Sequence, residues 1–241
     1  MRYMYMLFVA LAMWMTATAQ QVNYDALMCS YGLVDIKELC DDVVVELKYS
    51  TEDNFMGRDM YGELERAYLE KGFAERVVRA AEILHKRDSS LHIVIYDAAR
   101  PISIQRAMRQ EVEGTHLESF VADGSRGGRH NYGVAVDLTL ATANGTPLDM
   151  GAMFDEFSDA SAVKGTPDTS DGRDRTMESY RRYAYEQVCE GVITQRQADN
   201  RLLLVEVMFE VGLVPYRREW WHYEELMPMS EVRTKYRLLD F

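Results

Sequence analysis

The chain has 241 residues, of which 47% are hydrophobic and 27% are charged, and this is the ordinary composition of a globular protein. Its 27 Lys and Arg residues against 39 Asp and Glu give a net charge of −12, which argues against a binder of nucleic acids or anionic membranes. Three cysteines are too few for a disulfide scaffold.

The N-terminus has the organisation of a secretory signal peptide. Arg2 supplies a positive charge, residues 5–15 form an apolar run, and residues 17–19 are a small-residue cleavage site. A membrane-spanning helix needs about 20 apolar residues, and this run is shorter. We therefore predict that residues 1–19 are removed and that residues 20–241 are exported to the periplasm or secreted, with no membrane anchor.

If the protein is exported, its cysteines enter an oxidising compartment, which would permit a disulfide bond between Cys29 and Cys40. Cys189 would then be an odd, buried thiol. Three buried free cysteines are an equally good interpretation, and no pair has the spacing of a metal site. We assign the cysteines no chemistry.

The hydrophobic pattern predicts strands and helices in the first half of the chain. Residues 43–49 and 92–96 are rich in β-formers and are predicted to be strands. Residues 64–85 repeat apolar side chains at close to 3.6 residues, which indicates an amphipathic helix. Pro101 is suited to the first turn of a further helix over residues 102–111.

The second half contains two more candidate strands and a helical region. Residues 134–140 alternate strictly for most of their length, and residues 219–223 form a short aromatic segment, so both are predicted to be strands. Residues 155–174 are polar and form a loop, whereas residues 180–212 are mostly helical. Since no linker or repeat divides the chain, we expect one α+β domain over residues 20–241.

His130 and Asp137 lie in the segment HNYGVAVD, where the aspartate falls inside an apolar strand. A carboxylate in such a place is costly unless a partner neutralises it. Taken alone, the pair is best explained as an aspartate bound to an arginine and a histidine at a turn. The segment EWWH adds His222, and the three residues together would make a zinc site with a fourth position open for water.

Glu219 begins the segment EWWH and would be the base that takes a proton from the water at such a zinc ion. Residues three apart on a regular strand point to opposite faces, so a bend or bulge must bring Glu219 and His222 to one site. The alternative for Glu219 is a solvated charge. The two tryptophans between them are expected to belong to the core.

Arg100 follows a predicted buried strand and immediately precedes Pro101, at the place where a strand end delivers a side chain to the rim of a site. A guanidinium fixed there could stabilise the oxyanion of a tetrahedral intermediate. A structural arginine paired with Asp97 explains the position equally well.

Five segments in this order resemble the zinc D-alanyl-D-alanine dipeptidases of the vancomycin-resistance type, which belong to the D,D-peptidase group related to the hedgehog fold. The resemblance spans most of the mature chain. It implies one α+β domain with a small central antiparallel sheet flanked by helices, and one zinc ion per chain. The segments are VVVELKYSTEDNFMG, IYDAARP, HNYGVAVDLTL, MGAMFD and EWWHYE.

The resemblance assigns a role to each residue of the site. The zinc ligands of the family match His130, Asp137 and His222. Its catalytic base matches Glu219, and the arginine that stabilises its transition state matches Arg100.

The resemblance also implies a small substrate pocket. Asp155 matches the carboxylate that holds the substrate's free amino group, and the segment that helps line the pocket contains Tyr49, Asn54 and Phe55. The related enzymes usually carry a serine two residues before the first histidine, where this chain has Gly128. This departure bears on affinity and specificity more than on the zinc chemistry.

The sequence therefore predicts an exported zinc metallopeptidase that hydrolyses D-alanyl-D-alanine, or a similar D,D-dipeptide, to free D-alanine. Asp155 would favour a free N-terminus, because a blocked peptide leaves its charge unpaired. A cell-wall D,D-carboxypeptidase or endopeptidase with the same zinc core is the alternative. A non-catalytic zinc-containing binding module is a third interpretation, against which Glu219 counts.

Overall fold

The computed structural model of the protein describes residues 22–165 and 175–241. The predicted signal peptide, residues 1–19, lies outside this part of the chain, and so does a section of the predicted polar loop, residues 166–174. Within the described residues, no helix has the length and apolar character that crossing a bilayer requires.

The described residues form seven strands and six α-helices. The strands are β1 (Leu33–Asp35), β2 (Val44–Val45), β3 (Tyr68–Glu70), β4 (Leu91–Asp97), β5 (Ala135–Thr142), β6 (Leu213–Tyr216) and β7 (Glu219–Glu225). The α-helices are α1 (Tyr24–Ser30), α2 (Lys71–Arg87), α3 (Ile102–Glu111), α4 (Met177–Cys189), α5 (Gln195–Glu210) and α6 (Met229–Lys235).

Five strands form one sheet in the order β2-β4-β5-β7-β6, and β1 pairs with β3 in a small second sheet. The pairs β4–β5, β5–β7 and β7–β6 are antiparallel, whereas β2 is parallel to β4. The predicted α+β class is confirmed, but the sheet is mixed rather than wholly antiparallel. The parallel pair is possible because β3 and α2 intervene, which lets the chain return to the same end of the sheet.

The predicted helix over residues 64–85 begins later than its apolar repeat suggests. Helix α2 starts at Lys71, because residues 68–70 form β3 and pair with β1. The Glu70 side chain accepts a hydrogen bond from the backbone N–H of Phe73 at 2.9 Å, which caps the helix at this point. Strand pairing and the cap together set the boundary that periodicity alone places too early.

The predicted strand over residues 43–49 is reduced to the two residues of β2. Residues Lys48–Ser50 form a short 3₁₀ helix instead. This turn takes Tyr49 out of the sheet and buries its side chain. The change matters for function, because Tyr49 is one of the predicted substrate residues.

The remaining predicted elements agree with the structure. Residues 92–96 and 102–111 correspond to β4 and α3 within one residue at each end. Residues 134–140 and 219–223 correspond to β5 and β7, each of which continues two residues further. Residues 180–212 contain most of α4 and all of α5, which are separated by a turn.

The central sheet packs one face against helices. On β5, the side chains of Val136, Leu138 and Leu140 belong to the main hydrophobic core, and α2 and α5 contact β4 and β5. The residues between them, Asp137 and Thr139, are buried on the opposite face, since successive strand residues alternate. The polar site therefore lies on the face away from these helices.

All three cysteines are free thiols, and no bridge joins Cys29 to Cys40. Cys29 and Cys189 are exposed, and Cys40 is partly buried. The expectation that Cys189 is buried is wrong, because this last residue of α4 lies on the solvent side of the helix.

Candidate active site

Three neighbouring strands place acidic and imidazole side chains in one row. Asp137 on β5 lies directly opposite Asp97 on β4 and directly opposite His222 on β7. Directly opposed residues in a sheet project to the same face. The register of the sheet therefore brings two of the three predicted zinc ligands together.

Asp97 joins this row only because β4 is irregular. The pairing of β4 with β5 shifts between Ile95 and Asp97, so that Tyr96 is an extra residue on β4. In a regular strand, Asp97 would share the core face with Ile95. The shift turns Asp97 to the face of Asp137.

A second irregularity lies in β7, within the segment EWWH. Pro215 pairs with Tyr223, but the next residue of β6, Tyr216, pairs with Glu219. The shift leaves Oε2 of Glu219 at 3.9 Å from Nδ1 of His222, although the two residues are three apart. The predicted bulge is confirmed, and the two tryptophans within it are buried, as expected.

His130 reaches the same place from outside the sheet. It lies in the short 3₁₀ helix Arg129–Tyr132, which precedes β5. Gly133 ends this turn with a φ of 68°, and a Cβ at this position would lie 2.8 Å from Cδ2 of Leu33. Glycine is therefore required where the chain reverses into β5 and brings His130 beside Asp137.

The three predicted metal ligands form a tight, buried cluster. Oδ1 of Asp137 lies 3.0 Å from Nδ1 of His222 and 3.4 Å from Nε2 of His130. The two imidazole nitrogens lie 3.1 Å apart. One atom from each residue thus faces a common point, with all three atoms within 4.8 Å of one another.

The hydrogen bonds of the two histidines identify which nitrogen is free to bind a metal. Nδ1 of His130 lies 2.7 Å from the carbonyl oxygen of Ala98, which can only accept, so Nδ1 carries the proton and Nε2 is free. Nε2 of His222 donates to Oε2 of Glu224 at 3.3 Å, which leaves Nδ1 free. Such outer contacts orient histidine ligands in metal sites.

The cluster has the properties of a cation site. Oδ1 of Asp137 is buried and has no hydrogen-bond donor. Burial works to lower the pKa of His222, but Asp137 and Glu224 raise it to about 10, so the local potential is strongly negative. Two nitrogens and one carboxylate are the donor set of catalytic zinc sites with an open fourth position, and the residues fit such an ion.

Glu219 lies at the edge of the cluster with its side chain 16% exposed. Burial raises the pKa of its carboxyl to about 7, against the opposing effect of His222. A carboxyl with a pKa near neutrality is suited to accept and return a proton. The solvated charge that was the alternative for this residue is not what the structure shows.

Arg100 lies near the cluster and is held by three side chains. It forms an ion pair with Asp97, its Nε donates to the hydroxyl of Tyr61 at 3.2 Å, and its Nη1 donates to Oε1 of Gln105 at 3.0 Å. The expected pairing of Arg100 with Asp97 is therefore present, and Arg100 also lines the cavity of the site. Its role in the reaction stays a prediction.

The cluster opens into a cavity of about 400 Å³. Eight of the nine predicted site residues line it, namely Tyr49, Phe55, Arg100, His130, Asp137, Asp155, Glu219 and His222. Asp155 lies in the loop after β5 and accepts a hydrogen bond from the Tyr49 hydroxyl at 2.9 Å. The fold thus brings Asp155, which is predicted to bind the substrate, into the cavity that contains the three predicted metal ligands.

Asn54 is the predicted substrate residue that does not line this cavity. Its Nδ2 donates to the carbonyl of Lys48 at 3.0 Å, and its Oδ1 accepts from the N–H of Met56 at 2.9 Å. It lines a neighbouring cavity of about 760 Å³, which shares Phe55 and Asp155 with the first. The amide stabilises its own loop, and a part in substrate binding stays a prediction.

Comparison with known proteins agrees with this geometry. A family model of the peptidase M15 group, described as D-ala-D-ala dipeptidase, matches residues 29–236. The chain belongs to this family. The match includes the three predicted metal ligands and every other residue of the cavity described above.

Three relatives of this chain carry the name D-alanyl-D-alanine dipeptidase. The protein of Escherichia coli strain K12 is 32% identical over 192 residues, which cover 80% of this chain and 83% of the relative. The protein of Enterococcus faecium is 27% identical, with 80% and 90% covered. The protein of a Synechocystis species is 26% identical, with 71% and 72% covered.

The dipeptidase site contains two charged residues that the sequence analysis did not single out. Glu224 accepts the hydrogen bond from His222, and Nε of Arg129 lies 2.7 Å from Oε2 of Glu224. Alternation could have identified Glu224, because residues two apart on a strand share a face. Arg129 offered no signal beyond its position next to His130.

Proposed function

We propose that this dipeptidase hydrolyses D-alanyl-D-alanine, or a similar D,D-dipeptide, at one zinc ion bound by Nε2 of His130, Oδ1 of Asp137 and Nδ1 of His222. The observation that carries the proposal is the convergence of these three atoms, with the Glu219 carboxyl beside them, in one cavity. The family supports the dipeptidase activity, and the donor set favours zinc.

The residues around the proposed zinc ion divide the chemistry between them. A zinc ion held by these three residues would lower the pKa of a bound water and polarise the scissile carbonyl. Glu219 takes a proton from the attacking water and returns it to the leaving amine, for which its raised pKa is suited. Arg100 is fixed by Asp97 before the substrate arrives, so its charge stabilises the oxyanion without reorganisation.

The dimensions and charge of the cavity favour a small zwitterionic substrate. Its volume of about 400 Å³ is at the low end for small-molecule sites. Asp155 supplies an anion for the substrate's ammonium group, and Phe55 supplies an apolar wall. A longer peptide would lose the pairing with Asp155, which disfavours it relative to the free dipeptide.

Cleavage of intact stem peptides is the second candidate, and one feature favours it. The cavity of about 760 Å³ adjoins the active-site cavity at Phe55 and Asp155 and could receive the rest of a peptide. Because Asp155 lies between the two, such a substrate would have to pass an unpaired carboxylate. The position of Asp155 therefore makes the stem-peptide activity the weaker proposal.

Hydrolysis of a substrate panel by the zinc-loaded enzyme tests these proposals. The panel comprises D-Ala-D-Ala, D-Ala-D-Ser, D-Ala-D-lactate, L-Ala-L-Ala and a pentapeptide stem, with the Glu219→Gln variant as the control for contaminating activity. We expect the D,D-dipeptides to be cleaved fastest. Turnover of the stem peptide alone would overturn the dipeptidase proposal in favour of the carboxypeptidase.

Export is the second part of the proposal, and it rests on the pattern of residues 1–19. A role outside the cytoplasm suggests wall turnover and recovery of D-alanine. Fractionation of cells that express the full chain, with N-terminal sequencing of the product, tests it. The mature protein should begin at Gln20 and lie outside the cytoplasm, and an intact N-terminus in the cytoplasm would contradict export.

A further inference from the structure

Arg129 is a cation beside the proposed metal site whose guanidinium is only partly used. Its side chain is 12% exposed, its Nε lies 2.7 Å from Oε2 of Glu224, and its Nη2 donates to the carbonyl of Met227. Its Nη1 is buried and has no acceptor. A buried donor without an acceptor is costly, so a ligand that supplies one is favoured.

The other arginine of the cavity is more fully paired with protein groups. Each of the three nitrogens of the Arg100 guanidinium already has an acceptor, and these are the side chains of Asp97, Tyr61 and Gln105. An incoming anion would therefore find at Arg100 only the N–H groups that these side chains leave unused. At Arg129 it would instead satisfy a donor that the protein leaves unpaired.

Two opposite charges line the cavity, and each has its own protein partner. Arg129 pairs with Glu224, and Asp155 accepts from Tyr49. A dipeptide carries an ammonium group at one end and a carboxylate at the other. With Asp155 assigned to the ammonium group, Arg129 has the charge and the unused donor that the carboxylate needs.

Gly128 leaves room beside Arg129 within the same cavity. A Cβ built on Gly128 would lie 3.4 Å from Cβ of Ala122 and would meet no other atom within 4 Å. The backbone there is extended, with a φ of −96°. The absence of a side chain is therefore not required by packing, and it leaves open space in the wall of the cavity that Arg129 also lines.

We propose that Arg129 binds the terminal carboxylate of the dipeptide and thereby selects substrates that end one residue after the scissile bond. This inference rests on the proposed dipeptidase function. It assigns a specificity residue next to Gly128, which stands where the related enzymes usually carry a serine.

The inference is tested by comparing D-Ala-D-Ala with its C-terminal amide, which lacks the negative charge. The zinc-loaded wild type should have a kcat/KM about tenfold to a hundredfold higher for the free acid, as expected for a charge-assisted hydrogen bond. Arg129→Met should bring this ratio near one, mainly through loss on the free acid. Arg129→Lys should restore part of the ratio, since it keeps the charge.

Glu224→Gln is the matched control, because it breaks the ion pair with Arg129 and retains the guanidinium. It should keep the preference for the free acid, whatever its effect on the overall rate. The zinc content of each variant, and calorimetric binding of the dipeptide to Glu219→Gln with and without Arg129→Met, separate recognition from metal loss. The dissociation constant of the dipeptide should rise in the double variant by the same factor by which Arg129→Met lowers the ratio of the two kcat/KM values.

The outcomes distinguish this inference from the function on which it rests. A wild type that cleaves neither substrate overturns the dipeptidase function and the inference with it. A wild type that cleaves both at equal rates keeps the function and overturns the carboxylate site. Retention of the full preference in a zinc-loaded Arg129→Met variant also overturns it.

Discussion

Tyr49 donates its hydroxyl hydrogen to Oδ2 of Asp155 at 2.9 Å, and this bond joins the loop after β2 to the loop after β5. Burial, and secondarily the charge of Asp137, raise the pKa of the Asp155 carboxyl well above its usual range. A carboxyl in such surroundings gains most from a cationic ligand, because that ligand stabilises its charged form. The bond therefore marks the place that we propose for the ammonium group of a dipeptide.

Acetylation of the substrate's amino group should weaken cleavage strongly. It removes the positive charge and leaves Asp155 without a counter-charge, at a cost of about 1–3 kcal/mol, or about tenfold to a hundredfold in kcat/KM. Asp155→Asn should shrink the gap between free and acetylated D-Ala-D-Ala. Asparagine also tolerates the positive φ of 58° at this position, so the backbone is retained. Equal rates of the wild type on both substrates would contradict this role.

His222→Ala should lose the stoichiometric zinc of the purified protein. The substitution removes one of three ligands and leaves Oδ1 of Asp137 without the imidazole beside it. Elemental analysis after gel filtration measures the zinc content. His85→Ala is the matched control, since His85 is exposed on α2, and it should keep its zinc. A His222→Ala variant with full zinc would show that the ligand assignment is wrong.

Glu219→Gln should keep its zinc and its fold and lose nearly all turnover. The amide has almost the same shape and cannot accept the proton, so a factor of about 10²–10⁴ in kcat is expected to disappear. Steady-state kinetics and metal analysis of the same sample check both parts. The exposed Glu113→Gln should behave as the wild type. A rate near that of the wild type in Glu219→Gln would exclude this residue as the base.

Arg100→Ala should lower kcat more than it raises KM, because the charge that it stabilises develops in the transition state. It should also destabilise the fold by about 3–5 kcal/mol, since Asp97 would be left buried without a counter-charge. Urea denaturation measures the free energy of unfolding.

The double variant Asp97→Asn with Arg100→Ala separates the two effects of that substitution. It removes the unpaired charge, so stability should largely return while kcat stays low. A full recovery of kcat in the double variant would mean that Arg100 acts only through the fold.

Glu206 should contribute stability that disappears in acid. It binds Arg87 of α2 at 2.9 Å and Arg181 of α4 at 2.7 Å. Burial works to raise the pKa of Glu206, but these two arginines lower it below its usual value. A carboxyl with a lowered pKa stabilises the fold above its unfolded pKa and loses this effect as the pH falls through the folded value.

The wild type should therefore be more stable than Glu206→Gln at neutral pH, by about 1 kcal/mol or less because the pair is partly exposed. The difference should vanish near pH 3, below the usual pKa range of a glutamate. Denaturation at both pH values checks it, with the exposed Glu82→Gln of α2 as the control. A difference that is the same at both pH values would contradict the ionic origin.

The residues of the site could be named from the sequence because their chemistry is local. The carboxylate of Asp137 interrupts an apolar strand, and Glu219 and His222 are so close in the chain that a bulge was required. The structure contains that bulge, between Pro215 and Tyr216 on the paired strand. Long, regular elements such as β5 were also predictable, since strict alternation extends over most of the strand.

The boundaries of other elements could not be predicted, because distant segments determine them. Residues 68–70 continue the apolar repeat of a helix, but β1 is available to pair with them, and Glu70 then caps α2. The parallel direction of β2 likewise depends on the path of α2 back to β4. Neither outcome is encoded in the local periodicity.

The sequence by itself predicted the α+β class, the residues proposed to bind the metal and to transfer protons, and, from five segments in order, the family. Only the tertiary structure decided which atoms meet, because the register between strands far apart in the chain puts Asp97, Asp137 and His222 in one row. It also decided that Glu224 and Arg129 complete the site. Ligand identity is a property of single side chains, whereas orientation and pairing depend on contacts that form only when the sheet closes.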